Sequence, residues 1–137
     1  MSGTKKVLIA EDSTVIQNIT KRVLQFQNFD IHAVKNGKQV MDKLAKEYYD
    51  IVLMDINMPI MDGMECARKI RALDDTAKAD IPIVAITGNA KNYSMEDFKD
   101  AGIDEYLPKP LNFDQLVNTV RKYTTEGRGG STTGTGV

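Results

Sequence analysis

The chain has 137 residues, is 42% hydrophobic and 27% charged, and carries a formal net charge of -1. Those values describe one ordinary globular domain that can bury a core without disulfides, and its near-neutral balance argues against direct nucleic-acid binding. A single cysteine, Cys66, and a single histidine, His32, exclude an internal disulfide and a multi-histidine metal centre. With no leader segment and no long apolar run, a reducing, cytoplasmic setting without membrane contact is expected.

Residues 1–4 precede the first apolar run and read as a disordered N-terminus. Val7, Leu8, Ile9 and Ala10 then form a short apolar run that stops at Glu11 and Asp12. A helix follows, capped by Ser13 or Asp12, with Val15, Ile16, Ile19, Val23 and Phe26 at helical spacing and Lys21 and Arg22 opposite. Residues 29–34 read as a second strand, and Val40, Met41, Leu44 and Ala45 mark its helix. Ile51 to Met54 run unbroken into Asp55, after which Asn57, Pro59, Asp62 and Gly63 stop the strand and Met64, Ala67, Ile70 and Leu73 give a third helix.

Residues 74–80 are polar and read as a connection. Ile83, Val84, Ala85 and Ile86 form a fourth strand ending at Thr87-Gly88-Asn89, followed by a weaker helix over 93–101 that Gly102 stops. Residues 104–107 are a short fifth strand ending at Pro108-Lys109-Pro110. A last helix, capped by Asn112 or Asp114, carries Phe113, Leu116, Val117, Val120 and Tyr123. From 125 to 137 the composition turns to Gly, Ser and Thr, which predicts a flexible tail: a frayed end or a linker. Five strands alternating strictly with five helices predict an α/β fold, a parallel sheet covered on both faces.

In such a sheet the carboxyl ends of the strands share one edge, which brings together Glu11, Asp12, Asp55, Thr87 and Lys109. Each residue alone is an ordinary cap, turn residue or solvated charge; the set at corresponding strand ends is informative. Clustered carboxylates repel unless a cation neutralises them, and hard oxygen ligands suit Mg2+. Lys109 and Thr87 offer an ammonium and a hydroxyl to a phosphoryl group, and Asp55, the most central acid, is placed to attack one.

The set resembles the receiver domain of two-component response regulators. The resemblance spans residues 5–122 and rests on Glu11-Asp12, on Asp55 followed by Met58-Pro59-Ile60-Met61-Asp62-Gly63, on Thr87 and on Lys109-Pro110. It implies a doubly wound, flavodoxin-like sheet of order 2-1-3-4-5 within a receiver domain at 5–124. It implies that Asp55 is the phosphoacceptor and that Glu11, Asp12, Asp55 and the Asn57 backbone carbonyl serve Mg2+. Lys109 and Thr87 would bind the phosphoryl group, Thr87 and Tyr106 would form the switch pair, and the Lys109-Pro110 bond would be cis. The implied partners are a histidine kinase or histidine phosphotransfer protein as donor and a downstream protein. The latter would read the surface of the 93–101 helix, the fifth strand and the last helix, and a phosphorylation-dependent dimer is compatible with that surface. Such a module, excised from a hybrid kinase or standing alone, is not an enzyme beyond its own phosphorylation and dephosphorylation.

Two other classes share parts of this pattern. A Mg2+-dependent aspartyl-phosphate phosphohydrolase would use Asp55 as a turnover nucleophile, but normally places an acid where Asn57 stands. A flavin or nucleotide module of this fold needs a Gly- or Ser/Thr-rich loop where Glu11-Asp12-Ser13 places negative charge. His32, within a strand, and Cys66, on a helix, read as structural.

Overall fold

The three central strands are nearly continuous apolar runs because both faces of the sheet are covered there. In the computed structural model, which describes residues 4–88 and 90–133, five strands form one parallel sheet. They are β1 (Lys6–Ala10), β2 (Asp30–Val34), β3 (Ile51–Asp55), β4 (Ile83–Thr87) and β5 (Glu105–Pro108), in the order β2-β1-β3-β4-β5. Leu8, Ala10, Val52, Met54, Ile83 and Ala85 point to one face; Val7, Ile9, Ile51, Leu53, Val84, Ile86 and Leu107 point to the other. This is the two-residue alternation of a strand with every position buried.

The described residues contain six helices rather than the expected five: α1 (Thr14–Phe26), α2 (Gly37–Lys46), α3 (Gly63–Arg71), α4 (Thr76–Ala79), α5 (Met95–Ala101) and α6 (Phe113–Thr133). The extra one is α4, a single turn inside the 74–80 connection, nucleated where the Asp75 side chain accepts from the Ala77 amide. Val40, Leu44, Cys66, Ala67, Ile70 and Phe98 of α2, α3 and α5 cover one face of the sheet. Leu24 of α1 and Leu116, Val120 and Tyr123 of α6 cover the other.

Several boundaries differ from the expected ones. The helix expected over 93–101 is α5, which begins at Met95 because a reciprocal capping box between Ser94 and Asp97 fixes its start; a 3-10 turn (Ala90–Asn92) precedes it. The second strand begins at Asp30 rather than 29, and the fifth covers Glu105–Pro108 rather than 104–107. Ser13 caps α1, and Asn112 accepts from the Gln115 amide at the start of α6.

Helix α1 buries a different face from the one its apolar spacing indicates. Its buried residues are Gln17, Thr20 and Leu24, while Val15 (68%), Ile19 (44%) and Phe26 (86%) are exposed. The apolar stripe read from spacing therefore lies largely in solvent.

Residues 125–133 also depart from the expected tail. The last helix breaks at Gly127 (φ 69, ψ -172) and helical backbone resumes as far as Thr133, and Arg128 pairs with Asp104 at 2.7 Å and Asp80 at 3.6 Å. Arg128 thus has partners within this stretch, because Asp104 and Asp80 present carboxylates beside it. Expectations for residues 1–3 and 134–137 lie outside the described residues. Among the described residues no helix is long and apolar enough to cross a membrane.

Candidate functional site

Parallel register brings the strand ends to one edge. Ala10 pairs with Met54, Asp55 with Ile86 and Thr87 with Pro108, so the residues leaving β1, β3, β4 and β5 are neighbours. Glu11 is held against β2 by its amide, which donates to Val34 O at 3.0 Å. Carboxylate oxygens of Glu11, Asp12 and Asp55 lie within 4.8 Å of one another. Glu11 and Asp55 are buried, Asp12 exposed, and Thr87 buried at the end of β4.

Lys109 answers this negative charge. Its Nζ donates to Asp55 Oδ2 at 2.9 Å and lies 3.6 Å from Glu11 Oε1. Its own amide donates to Thr87 O at 2.9 Å, and the Lys109-Pro110 bond is cis. Burial works against the ammonium, yet the hydrogen bond and charge of Asp55, with Glu11, hold its pKa above the usual lysine value. The Glu11 carboxyl is pushed up, first by burial and then by Asp55; the Ser13 amide and Lys109 restrain the rise. Glu11 Oε1 has no hydrogen-bond partner. A buried carboxylate oxygen left in this state is one that a hard cation satisfies, and an oxygen-only cluster of three acids fits a divalent ion such as Mg2+.

The loop after β3 is fixed as tightly as the strand. The Asn57 amide donates to Asp55 Oδ1 at 3.0 Å while its side chain is exposed. Met61 N donates to Pro59 O at 2.7 Å across Ile60, whose φ is 71°. This is the strained form of the three-residue turn, carried here by a β-branched residue that is 76% exposed. Asp62 then caps α3, accepting from Glu65 N at 2.8 Å. A Cβ on Gly63 would stand 2.7 Å from Asp55 O and 2.9 Å from Ile56 Cα, so only glycine lets the helix start this close to the acid. At Gly88 the nearest atoms to an added Cβ are those of Lys109 at 3.9 Å, so no neighbour demands a glycine there.

Tyr106 lies on β5 in register with Ala85, two residues before Thr87 on β4. Tyr106 and Thr87 therefore sit on the same face of neighbouring strands. The Tyr106 ring is half-buried and stacks on Phe98 of α5, with centroids 5.2 Å apart; Phe98 in turn meets Tyr93 at 5.4 Å. A continuous run of ring contacts thus leads from β5 to the segment after β4. The other singled-out residues lie away from this cluster. His32 Nδ1 is 2.8 Å from the Tyr49 hydroxyl, and Cys66 is buried with its thiol pushed up to about 12 by burial.

Sequence reasoning missed two features beside the cluster. Gln17 projects from the buried face of α1 to the turn that carries Glu11; its spacing from Thr20 and Leu24 was the available signal. An apolar groove of about 500 Å3 also lies between α1 and the start of α6, lined by Ile16, Ile19, Pro110, Leu111, Phe113 and Lys109. Lys109 belongs to both the groove and the acidic cluster.

Residues 7–121 match the family model for the response regulator receiver domain. The chain belongs to this family. It is 39% identical over 137 residues to hybrid signal transduction histidine kinase I of Dictyostelium discoideum, covering 93% of this chain and 8% of that protein. It is 29% identical over 116 residues to the response regulator MprA of Mycolicibacterium vanbaalenii, covering 85% of this chain and 48% of that one. The receiver therefore spans less than half the length of either relative.

Among solved structures, the chemotaxis response regulator CheY4 of Vibrio cholerae superposes with a TM-score of 0.80 at 26% identity, covering 88% of this chain and 98% of that one. The receiver domain of sensor histidine kinase PA1611 from Pseudomonas aeruginosa PAO1 gives 0.81 at 28% identity, covering 90% and 99%. That structure holds a magnesium ion coordinated in its active site cleft. The flavodoxin-like 2-1-3-4-5 architecture expected from the sequence is thus the architecture of the chain and of its structural neighbours.

Proposed function

We propose that this receiver accepts a phosphoryl group on Asp55 from a phosphohistidine, in a Mg2+-dependent reaction, and relays its phosphorylation state to a partner protein. One observation carries the reading: Glu11, Asp12 and Asp55 converge within 4.8 Å while Lys109 reaches the buried Asp55 at 2.9 Å. Glu11, Asp12, Asp55 and the Asn57 backbone carbonyl would hold the ion, whose charge offsets that of the phosphoryl oxygens. Asp55 is aligned by the Asn57 amide on one oxygen and Lys109 on the other, so the acceptor is oriented before the donor arrives. Transfer forms an O–P bond at Asp55 and breaks the P–N bond of the donor histidine.

Afterwards Lys109 stays as counter-charge and Thr87 supplies a hydroxyl at the end of the adjacent strand. A dianion at Asp55 favours conformations that bring Thr87 close, and the run of ring contacts from Tyr106 through Phe98 to Tyr93 gives that shift a path to the outer surface of α5, β5 and α6. That surface is where we place the downstream partner and any phosphorylation-dependent dimer. The donor, a histidine kinase or a histidine phosphotransfer protein, would cover the apolar groove lined by Lys109, since that lysine also reaches Asp55. With such a donor the receiver would work in the cytoplasm. The phosphohydrolase alternative gains nothing from the site, because the position that would need an acid is an exposed Asn57.

Intact-mass measurement after incubation with acetyl phosphate and Mg2+ tests the reading. One added phosphoryl mass on wild type, lost in Asp55→Asn, is expected. An unmodified wild type, or equal modification of Asp55→Asn at the same site, refutes it. Beryllofluoride added with Mg2+ should shift the Thr87 and Tyr106 amides, and an unchanged spectrum would refute the switch.

A further inference from the structure

Gln17 is a buried amide side chain on the sheet-facing side of α1, 9% exposed, and the catalytic reading gives it no role. Its Nε2 donates to two backbone carbonyls at once, Glu11 O at 3.0 Å and Val34 O at 2.9 Å. Those carbonyls belong to the last residue of β2 and the first residue after β1. The Glu11 amide also donates to Val34 O, so one carbonyl collects both the strand end and the helix side chain.

The connection closes into a ring. Gln17 N donates to Ser13 O, the Ser13 hydroxyl caps Ile16, and Ser13 N donates to Glu11 Oε2 at 3.0 Å. With the backbone of Glu11 pinned by Gln17 and one carboxylate oxygen pinned by Ser13, the other oxygen, Oε1, is left without a hydrogen-bond partner, 3.6 Å from Lys109 Nζ. A glutamate side chain has three rotatable bonds and ordinarily turns such an oxygen toward a donor; here the turn is held from behind.

We propose that Gln17 is the positioning residue of the metal site: by bridging the ends of β1 and β2 it fixes the Glu11-Asp12 turn in the geometry that receives Mg2+. This rests on the reading of Glu11, Asp12 and Asp55 as that site. Gln17 touches no ligand atom and acts through the backbone of Glu11. Groups that orient metal ligands in this way are worth roughly 10–100-fold in metal affinity.

The test is a Mg2+ titration of the full chain followed by amide shifts at residues 11–13 and 55–57, a readout independent of phosphorylation. Gln17→Met keeps the length and volume but removes both donors; Gln17→Asn keeps the amide but is too short to reach both carbonyls. Leu24→Ala, on the same buried face of α1, is the control for a general loss of stability. Either Gln17 variant that remains folded by circular dichroism should bind Mg2+ roughly 10–100-fold more weakly. Leu24→Ala should stay within about twofold of wild type, since it shares no partner with the turn. Wild-type affinity in the folded Gln17 variants, or an equal loss in Leu24→Ala, overturns the proposal, as does failure of both Gln17 variants to fold. If wild type gives no Mg2+ response, the metal-site reading fails, and this inference with it.

Discussion

The Glu11→Gln variant separates the stability of the fold from its fitness for a cation. The Glu11 carboxylate is 3% exposed, accepts one hydrogen bond from the Ser13 amide through Oε2, and leaves Oε1 without a hydrogen bond. Asp55 adds repulsion, and Lys109 at 3.6 Å returns part of the cost, although its closer partner is Asp55 at 2.9 Å. A buried polar atom without a partner costs about 1–3 kcal/mol, and a charged one more. Neutralising the side chain should therefore stabilise the metal-free fold by about 1 kcal/mol once the lost Lys109 attraction is subtracted. In Mg2+ the order inverts, because an ion at a hundred times its Kd adds about 2.7 kcal/mol to wild type, and the variant lacks one of the three carboxylates.

The pH dependence has a definite sign. Burial and Asp55 raise the Glu11 pKa in the fold, so the folded state holds this proton more tightly than the unfolded chain does. The contribution is favourable below the ordinary carboxylate range, is lost as pH rises through the raised folded value, and is constant above it. Urea denaturation of both proteins in chelator and in Mg2+, from acid to neutral pH, measures each part. A Gln variant less stable than wild type in chelator at neutral pH, or equal Mg2+ stabilisation of the two, would refute the reasoning.

Three further outcomes follow from the loop and from α1. Ile60→Gly should stabilise the protein by about 0.5–1 kcal/mol in urea melts, since releasing a left-handed β-branched residue outweighs the entropy glycine adds to the unfolded chain; destabilisation would show that the Ile60 side chain contributes packing despite its exposure. Gly63→Ala should cost about 1–3 kcal/mol and shift the Asp55 and Asn57 amides, because the added methyl meets Asp55 O and Ile56 Cα. Leu24→Ala should cost about 2–5 kcal/mol, whereas Phe26→Ala should change stability by less than about 0.5 kcal/mol; comparable losses would mean that α1 packs on the face its apolar spacing suggests.

The acidic edge was legible in the sequence because a buried parallel strand is an unbroken apolar run, and the first polar residue after each run marks the same edge of the sheet. Glu11, Asp55, Thr87 and Lys109 could be aligned on that basis before any packing was known. The Gly63 contact with Asp55 O and the left-handed turn at Ile60 depend on how closely two backbones approach, which no spacing rule carries. Arg128 was lost for a related reason: its partners, Asp80 and Asp104, are distant in sequence and look like ordinary loop acids.

The phase error on α1 is of a different kind. Val15, Ile19 and Phe26 outnumber Leu24 as apolar residues, and a count of hydrophobic spacing chooses their side. The sheet instead receives Leu24, Thr20 and Gln17: Leu24 fills the core, the Thr20 hydroxyl donates to Ile16 O, and Gln17 ties two strand ends. Hydrophobic periodicity reports that a face will be covered without saying what covers it. An amphipathic helix packed on its own sheet and one that keeps an apolar stripe for another molecule give the same pattern. On α1 the two demands fall on different faces, and Ile16 and Ile19 of the outward side line the groove that shares Lys109 with the acidic cluster. Ile16 and Ile19, unlike Val15 and Phe26, thus stand beside the cation that holds Asp55, which fits the proposed docking of the phosphodonor over that groove.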